Sequence, residues 1–255
     1  MIKVEKKQVV YDIMEVCLLA GRIMLQSGAE TYRVEDTMER IARAFGVREA
    51  HCFVTPTGII FSIESTEPTK TKLVRITERT TDLHKVALVN GVSRRITNGE
   101  LDIEKAFRAL TEVEESQLTY STTIQILAAA IASGCFLIMF NGSWIDFFPA
   151  CITGGIGFTS VMYFHRVVPI KFFSEFIGSI IIGILSFVFV HMGMGVELDK
   201  IIIGSVMPLV PGLLLTNAVR DLMAGHLVSG ISKGAEALLT AFAIGSGIAV
   251  VLSFL

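Results

Sequence analysis

Charge is what the second half of this sequence has little of. Residues 121–255 hold 5 of the 22 Lys and Arg and 6 of the 24 Asp and Glu, and residues 1–120 hold the rest. Over the whole chain 18% of residues are charged, below the roughly 25% of a soluble domain, while 52% are apolar and the mean hydropathy is +0.62. A single solvent does not suit both halves, so the sequence predicts a soluble domain over 1–120 and a membrane domain over 121–255. The formal net charge of −2 removes any electrostatic case for nucleic acid. Cysteine is also scarce: Cys17, Cys52, Cys135 and Cys151 are scattered with no Cys-x-x-Cys pair, which predicts reduced thiols and no metal or cofactor. The opening Met-Ile-Lys-Val-Glu-Lys-Lys-Gln has no apolar core of the signal-peptide kind, so the first domain is expected in the cytoplasm. No nucleophile elbow and no matched His and Asp are present, so no catalytic residue is assigned and no enzyme is expected.

The soluble part reads as α+β. Val9, Ile13, Val16, Ala20 and Ile23 recur at steps of three and four, which predicts a helix over 8–26 with one buried face. Ser27-Gly28 ends it, Glu30 or Thr31 opens the next helix, and Val34, Met38, Ile41 and Phe45 give that helix its own apolar stripe. Ser27 and Thr31 read as helix caps, and Arg33, Glu35, Asp36, Glu39 and Arg40 as a solvated face. His51 beside Cys52 has no partner cluster for a metal. Apolar runs around Phe53, Ile60 and Leu73, with Pro56-Thr57-Gly58 between the first two, predict two or three strands. Helices follow over 82–96 and 102–113, separated by the stop Asn98-Gly99 and an Asp cap.

Five apolar segments then predict an α-helical bundle: Thr122–Phe140, Phe147–Phe164, Phe172–Met192, Ile201–Thr216 and Ala235–Leu255. Four are long enough to cross a hydrocarbon core of about 30 Å, and the fourth is short. Lys and Arg in the connecting loops alternate so as to place the N-terminus inside and the C-terminus outside, with two in His165–Lys171 and none in Asn141–Asp146. By that topology Asp146 reads as a loop residue near the outer surface. Ala128 and Ala132, Ala241, Gly245 and Ala249, and Gly154-Gly155-Ile156-Gly157 read as small-residue packing faces.

The stretch Met207–Glu236 does what a plain spanning helix avoids. Pro208, Pro211 and Gly212 are expected to break the backbone, and a broken helix at membrane depth points to a transport site. Thr216 and Asn217 at the junction can hydrogen-bond a polar solute. Arg220, Asp221, His226, Glu175 and Glu236 all fall toward the cytoplasmic side and either share one vestibule or divide differently. In the second case Glu175 and Glu236 sit at the interface and Arg220 pairs with Asp221 in a solvated loop.

Three groups of residues carry a resemblance. Ser27-Gly28-Ala29-Glu30-Thr31-Tyr32-Arg33-Val34-Glu35 with Val54-Thr55-Pro56-Thr57-Gly58, Pro208-Leu209-Val210-Pro211-Gly212, and Asn217-Ala218-Val219-Arg220-Asp221-Leu222 with Gly225-His226-Leu227-Val228-Ser229-Gly230 resemble the threonine/serine exporter family. The resemblance implies a cytoplasmic N-terminal region followed by two sets of about five spans, of which this chain holds the first. It implies a plasma-membrane protein whose missing half is a second, small multi-span subunit, a split form that the family associates with dicarboxylates such as succinate. The substrate is therefore a small solute carrying a carboxylate, with threonine or serine first and succinate as the alternative. In the expected mechanism the solute is met by Arg220 and the backbone freed around Pro208–Gly212, while Asp221, Glu175 or Glu236 exchanges a proton. A membrane-anchored enzyme and a non-transporting scaffold or regulator are the readings of another class.

Overall fold

The computed structural model describes residues 2–64, 69–116, 119–168, 170 and 172–254, with backbone alone over 2–8. Lys171, one of the loop cations used for orientation, and Leu255 lie outside the described residues. The chain divides into two compact units, Met1–Thr119 with Leu213–Gly234, and Tyr120–Gly212 with Ala235–Leu255. Each unit is discontinuous in the chain, with Leu213–Gly234 grouping with the first.

The first unit opens with α1 (Ile2–Gln26) and α2 (Thr31–Ala44). Their facing stripes form its core, with Ile13, Val16, Ala20 and Ile23 of α1 and Val34, Met38 and Ile41 of α2 all buried. Val9 is exposed, so the buried stripe of α1 is shorter than its periodicity. β1 (Glu49–Thr55), β2 (Gly58–Glu64) and β3 (Lys70–Arg75) make an antiparallel sheet in that order. Thr55 pairs with Gly58, so Pro56-Thr57 is a two-residue turn. The alternation of β2 buries Ile59, Phe61 and Ile63 and leaves Ile60 exposed, as a sheet covered on one face requires. α3 (Leu83–Thr97) and α4 (Ile103–Glu115) each begin with an aspartate cap: Lys85 N donates to Asp82 at 3.1 Å and Lys105 N to Asp102 at 2.8 Å.

The second unit is built from α5 (Thr122–Met139), a 3-10 turn Trp144–Asp146, α6 (Phe147–Val167), α7 (Phe173–His191) and α8 (Leu198–Val206), with the later part of α10 (Leu227–Ser253). Its polarity is inverted relative to a soluble core. Ser133, Ser179, Ser186 and Ser205 are fully buried, whereas Phe148, Leu238 and Phe242 are each at least 70% exposed. Ser133, Ser179 and Ser186 donate to carbonyls about one turn back, as Ser133 does to Ala129 O at 2.9 Å, and Ser205 donates to Ala150 O, so these four donors are met inside the unit. Among the described residues four helices are long and apolar enough to cross a membrane. A fifth span exists if the helices on either side of residue 210 are taken together.

Several expectations are corrected here. α10 starts at Leu227, eight residues before the predicted Ala235, because its first turns are held by protein groups described below. The small-residue faces lie one or two positions from the predicted ones. On α10 Ala241, Gly245 and Ala249 are exposed, and the buried positions are Ala243, Ile244 and Gly247. On α5 Ala128 is exposed and Ala129, Ser133 and Gly134 are buried. The predicted glycines of α6 do pack closely, since a Cβ on Gly154 would collide with Ser133 Oγ. Asp146 is no loop bystander: it is fully buried and accepts from Val196 N at 2.6 Å and Glu197 N at 3.1 Å, ahead of α8. The turn after α7 is therefore closed by a carboxylate fifty residues earlier in the chain.

The predicted backbone break is present. After α8 a 3-10 turn covers Met207–Leu209, Val210 is extended, and helix resumes as α9 (Gly212–Met223). Pro208 and Pro211 have no N–H to continue the ladder, which is why the helix stops between them.

Candidate functional site

The site in the first unit begins where α1 ends. Gly28 has φ +86°, and a Cβ there would lie 3.2 Å from Thr80 O, so both conformation and space require glycine. Ala29 N donates back to Met24 O at 3.0 Å, and Thr80 N and Asp82 N donate to Gln26 O and Ser27 O. The chain then turns through extended Glu30 into α2. Glu30 occupies the N-cap position but makes no side-chain cap bond. The orphan N–H of Thr31 is satisfied from a distance of 190 residues, donating to Asp221 Oδ1 at 2.9 Å. Asp221 thus places its charge at the positive end of α2.

Asp221 is fully buried, and its other oxygen lies 2.8 Å from Lys233 Nζ on α10. Lys233 also donates to Ala29 O at 3.3 Å and Thr31 Oγ1 at 3.2 Å. An ammonium group has three donors, and these three acceptors use them all. The ion pair is therefore neutral and fully hydrogen-bonded, the condition under which burying two charges is tolerable.

α9 contributes two further residues. Asn217, one turn before Asp221 on the same helix face, donates to Gly28 O at 2.9 Å. Arg220 donates to Glu30 Oε1 at 2.6 Å, and Arg33 Nε lies 2.9 Å from Glu30 Oε2. Burial pushes the Glu30 carboxyl up, but its backbone hydrogen bond, Arg220 and Arg33 outweigh that and hold it below its ordinary value. Gly225 reverses the chain with φ +88°, and Ser229 of α10 then donates to Val54 O at 3.0 Å. Gly230 lets α9 and α10 cross closely, because a Cβ there would lie 3.0 Å from Ala218 O and overlap Leu222. Beside them Glu35 accepts from Val54 N at 2.8 Å and faces His226 Nδ1 at 3.6 Å. Burial, the largest influence on Glu35, raises its carboxyl above the ordinary value.

The structure thus gathers Asn217, Arg220 and Asp221 with the 27–35 turn, and Thr216 lies on the same helix with its side chain exposed. It does not pair Arg220 with Asp221: the partners are Glu30 and Lys233. Neither Arg33 nor Glu35 is simply solvated, since Glu35 has 16% of its side chain exposed and Arg33 holds Glu30. Lys233 is the one member of this cluster that the sequence analysis does not name. Its apolar surroundings and its place two turns inside a long helix are the signals that mark it. Pro208, Pro211, Gly212, Glu175 and Glu236 belong to the second unit. There Glu175 stands in the first turn of α7 with Oε2 buried and without a hydrogen bond among the described residues.

A family model described as "Putative threonine/serine exporter" (ThrE) matches residues 15–255. A "Probable threonine/serine exporter" of Mycobacterium tuberculosis is 23% identical over 94% of this chain and 46% of its own length. The "Threonine/serine exporter" of Corynebacterium glutamicum is 24% identical over 94% of this chain and 50% of its own. The "Probable succinate transporter subunit YjjP" of Escherichia coli is 24% identical over 94% of each chain. The chain spans about half the length of the two exporters and nearly all of the transporter subunit. No solved structure gives a significant match. With the family match running from residue 15 to the last, this multi-span chain belongs to the threonine/serine exporter family.

Proposed function

We propose that this chain is one subunit of a secondary exporter in the plasma membrane. It moves small amino or carboxylic acids out of the cell, threonine or serine first, and works with a separate small membrane subunit. Residues 1–120 face the cytoplasm and the C-terminus lies outside. The observation that carries this reading is Arg220, a half-exposed guanidinium on α9, directly after the backbone break at Pro208–Gly212. An arginine fork binds a carboxylate with two parallel hydrogen bonds, which suits any solute of this class. Thr216 and Asn217 flank it on the same helix, and Asp221, Glu175 and Glu236 are the groups that exchange a proton during efflux. The buried, unbonded oxygen of Glu175 supports it as a proton-carrying member of that set.

A second reading, export of a dicarboxylate such as succinate, is favoured by the near full-length match to a succinate transporter subunit. One assay separates the two. Cells lacking their own exporters are loaded with threonine, serine or succinate and express the chain alone or with a candidate small multi-span membrane subunit. Selective efflux with the partner establishes a split exporter and its substrate. Normal efflux by correctly inserted Arg220→Ala and Asp221→Asn variants would remove both residues from the path.

A further inference from the structure

Glu30 is the residue around which the charges of this site do not balance. Lys233 and Asp221 neutralise each other, but Glu30 alone faces two arginines, Arg220 at 2.6 Å and Arg33 at 2.9 Å. The two guanidinium groups come from different elements, α9 and α2, and meet on the two oxygens of one carboxylate. Glu30 has 10% of its side chain exposed, while Arg33 has 41% and Arg220 has 53%, so the arginines open to solvent and the carboxylate lies behind them. Arg33 Nη2 donates to Glu30 Oε1 and to the Tyr32 hydroxyl, each at 3.4 Å, while the buried Arg33 Nε, 2.9 Å from Glu30 Oε2, is not aligned to form a hydrogen bond. The donor set therefore exceeds what its present occupant satisfies.

We propose that the Arg33–Arg220 pair is the seat for the carboxylate of the exported solute, and that Glu30 is its internal occupant, exchanged for that carboxylate when the solute binds. The inference rests on the exporter reading and adds two residues to it. Arg33 is a second ligand beside Arg220, and Glu30 is a built-in competitor that sets the affinity. Each guanidinium presents a planar, fork-shaped set of donors, which a carboxylate group fits and a solute without one does not. Occupation by Glu30 keeps the pair neutralised to a single net positive charge when no solute is present, so the unoccupied site does not expose two bare cations. Exchange at Glu30 itself breaks none of the hydrogen bonds of the adjoining Asp221–Lys233 pair, because Glu30 makes none of them.

The test is direct binding of radiolabelled succinate and threonine to the purified full chain in nanodiscs, together with cellular efflux. Glu30→Gln removes the competing charge and keeps the shape, and is expected to tighten binding about tenfold. Arg33→Gln is expected to weaken it by at least about tenfold, and the Glu30→Gln/Arg33→Gln double variant to return near wild type. Glu104→Gln, at an exposed pair on α4, leaves binding unchanged. Binding to Glu30→Gln that is equal to or weaker than wild type overturns the proposal. Should Glu30→Gln fail to fold, Glu30→Asp, whose carboxylate retracts from Arg220, takes its place and must bind more tightly than wild type, or the seat is wrong. Efflux that requires Arg220 while Glu30 and Arg33 variants bind normally would leave the exporter standing and refute the seat. If no variant, wild type included, binds or moves either solute, the exporter reading fails and the seat with it.

Discussion

Removing Lys233 should be among the most damaging single changes in the first unit. In Lys233→Met the Asp221 carboxylate stays buried, keeps only the Thr31 N–H, and loses its counter-charge. Breaking one half of a buried pair costs about 3–5 kcal/mol, since the remaining charge is left in a place that water does not reach. Asp221 is fully buried and Lys233 has 4% of its side chain exposed, so this pair lies at the upper end of that range. For a chain of this size each kcal/mol corresponds to about 2–4 °C in Tm, giving a fall of roughly 10–20 °C at fixed scan rate. Asp221→Asn should behave similarly, because it leaves the ammonium with only Ala29 O and Thr31 Oγ1 as good acceptors. The double variant Asp221→Asn/Lys233→Met strands no charge and should recover at least about 2 kcal/mol relative to the sum of the singles. The assay is thermal unfolding of the four purified proteins followed by tryptophan-independent light scattering or dye binding. A Lys233→Met variant as stable as wild type, or singles that simply add, would refute the claim that the pair is shielded and mutually dependent.

Other predictions concern neighbouring groups. Gly28→Ala should cost at least about 1–2 kcal/mol in unfolding, as it forces a Cβ into left-handed backbone and toward Thr80 O. Asp146→Ala leaves the Val196 and Glu197 N–H groups without their acceptor and should cost about 2–4 kcal/mol, seen as protease sensitivity of the turn between α7 and α8. Glu30 titrates below its ordinary value of 4.5, so the unfolded chain takes up that proton first. Its contribution is full above about pH 4.5 and is lost as the pH falls through the folded value, and Glu30→Gln should flatten the acid limb of the Tm profile. Glu35 has the opposite sign: its raised carboxyl favours the folded state below its ordinary 4.5 and that advantage disappears as the pH rises through the folded value. Glu35→Gln, which keeps an acceptor for Val54 N, should therefore unfold no lower than wild type at pH 7.

The contrast between what the sequence disclosed and what it hid has a physical basis. Periodicity located α1 and α2 because one buried face imposes a local repeat, unbroken apolar length located the candidate spans, and Asp82, Asp102 and Gly99 marked helix ends because caps are local chemistry. The break after α8 was legible for the same reason, since two prolines act on their own turns. Pairings across the chain leave no such repeat. Nothing near Asp221 in sequence indicates Thr31, 190 residues away, and the adjacent Arg220 is the misleading partner because side chains at i and i+1 on a helix do not face each other. Small-residue stripes failed on α5 and α10 for a related reason. A four-residue spacing occurs on several faces of a glycine- and alanine-rich helix, and neighbouring helices decide which face is used.

The bond from Thr31 to Asp221 also sets a schedule. Ribosomes add about 5–20 residues per second, so the 190 residues between the two take roughly 10–40 s to make. Throughout that interval α1, α2 and the sheet exist without the carboxylate that closes α2, without Lys233, and without the Asn217 amide on Gly28 O. The unit that is translated first is therefore finished only after α5 to α8 have been made. Any nascent chain that stalls before residue 233 carries an unfinished turn at Gly28–Thr31. Completion of the first unit is thus coupled to synthesis of α5 to α8, which lie between its two segments in the chain.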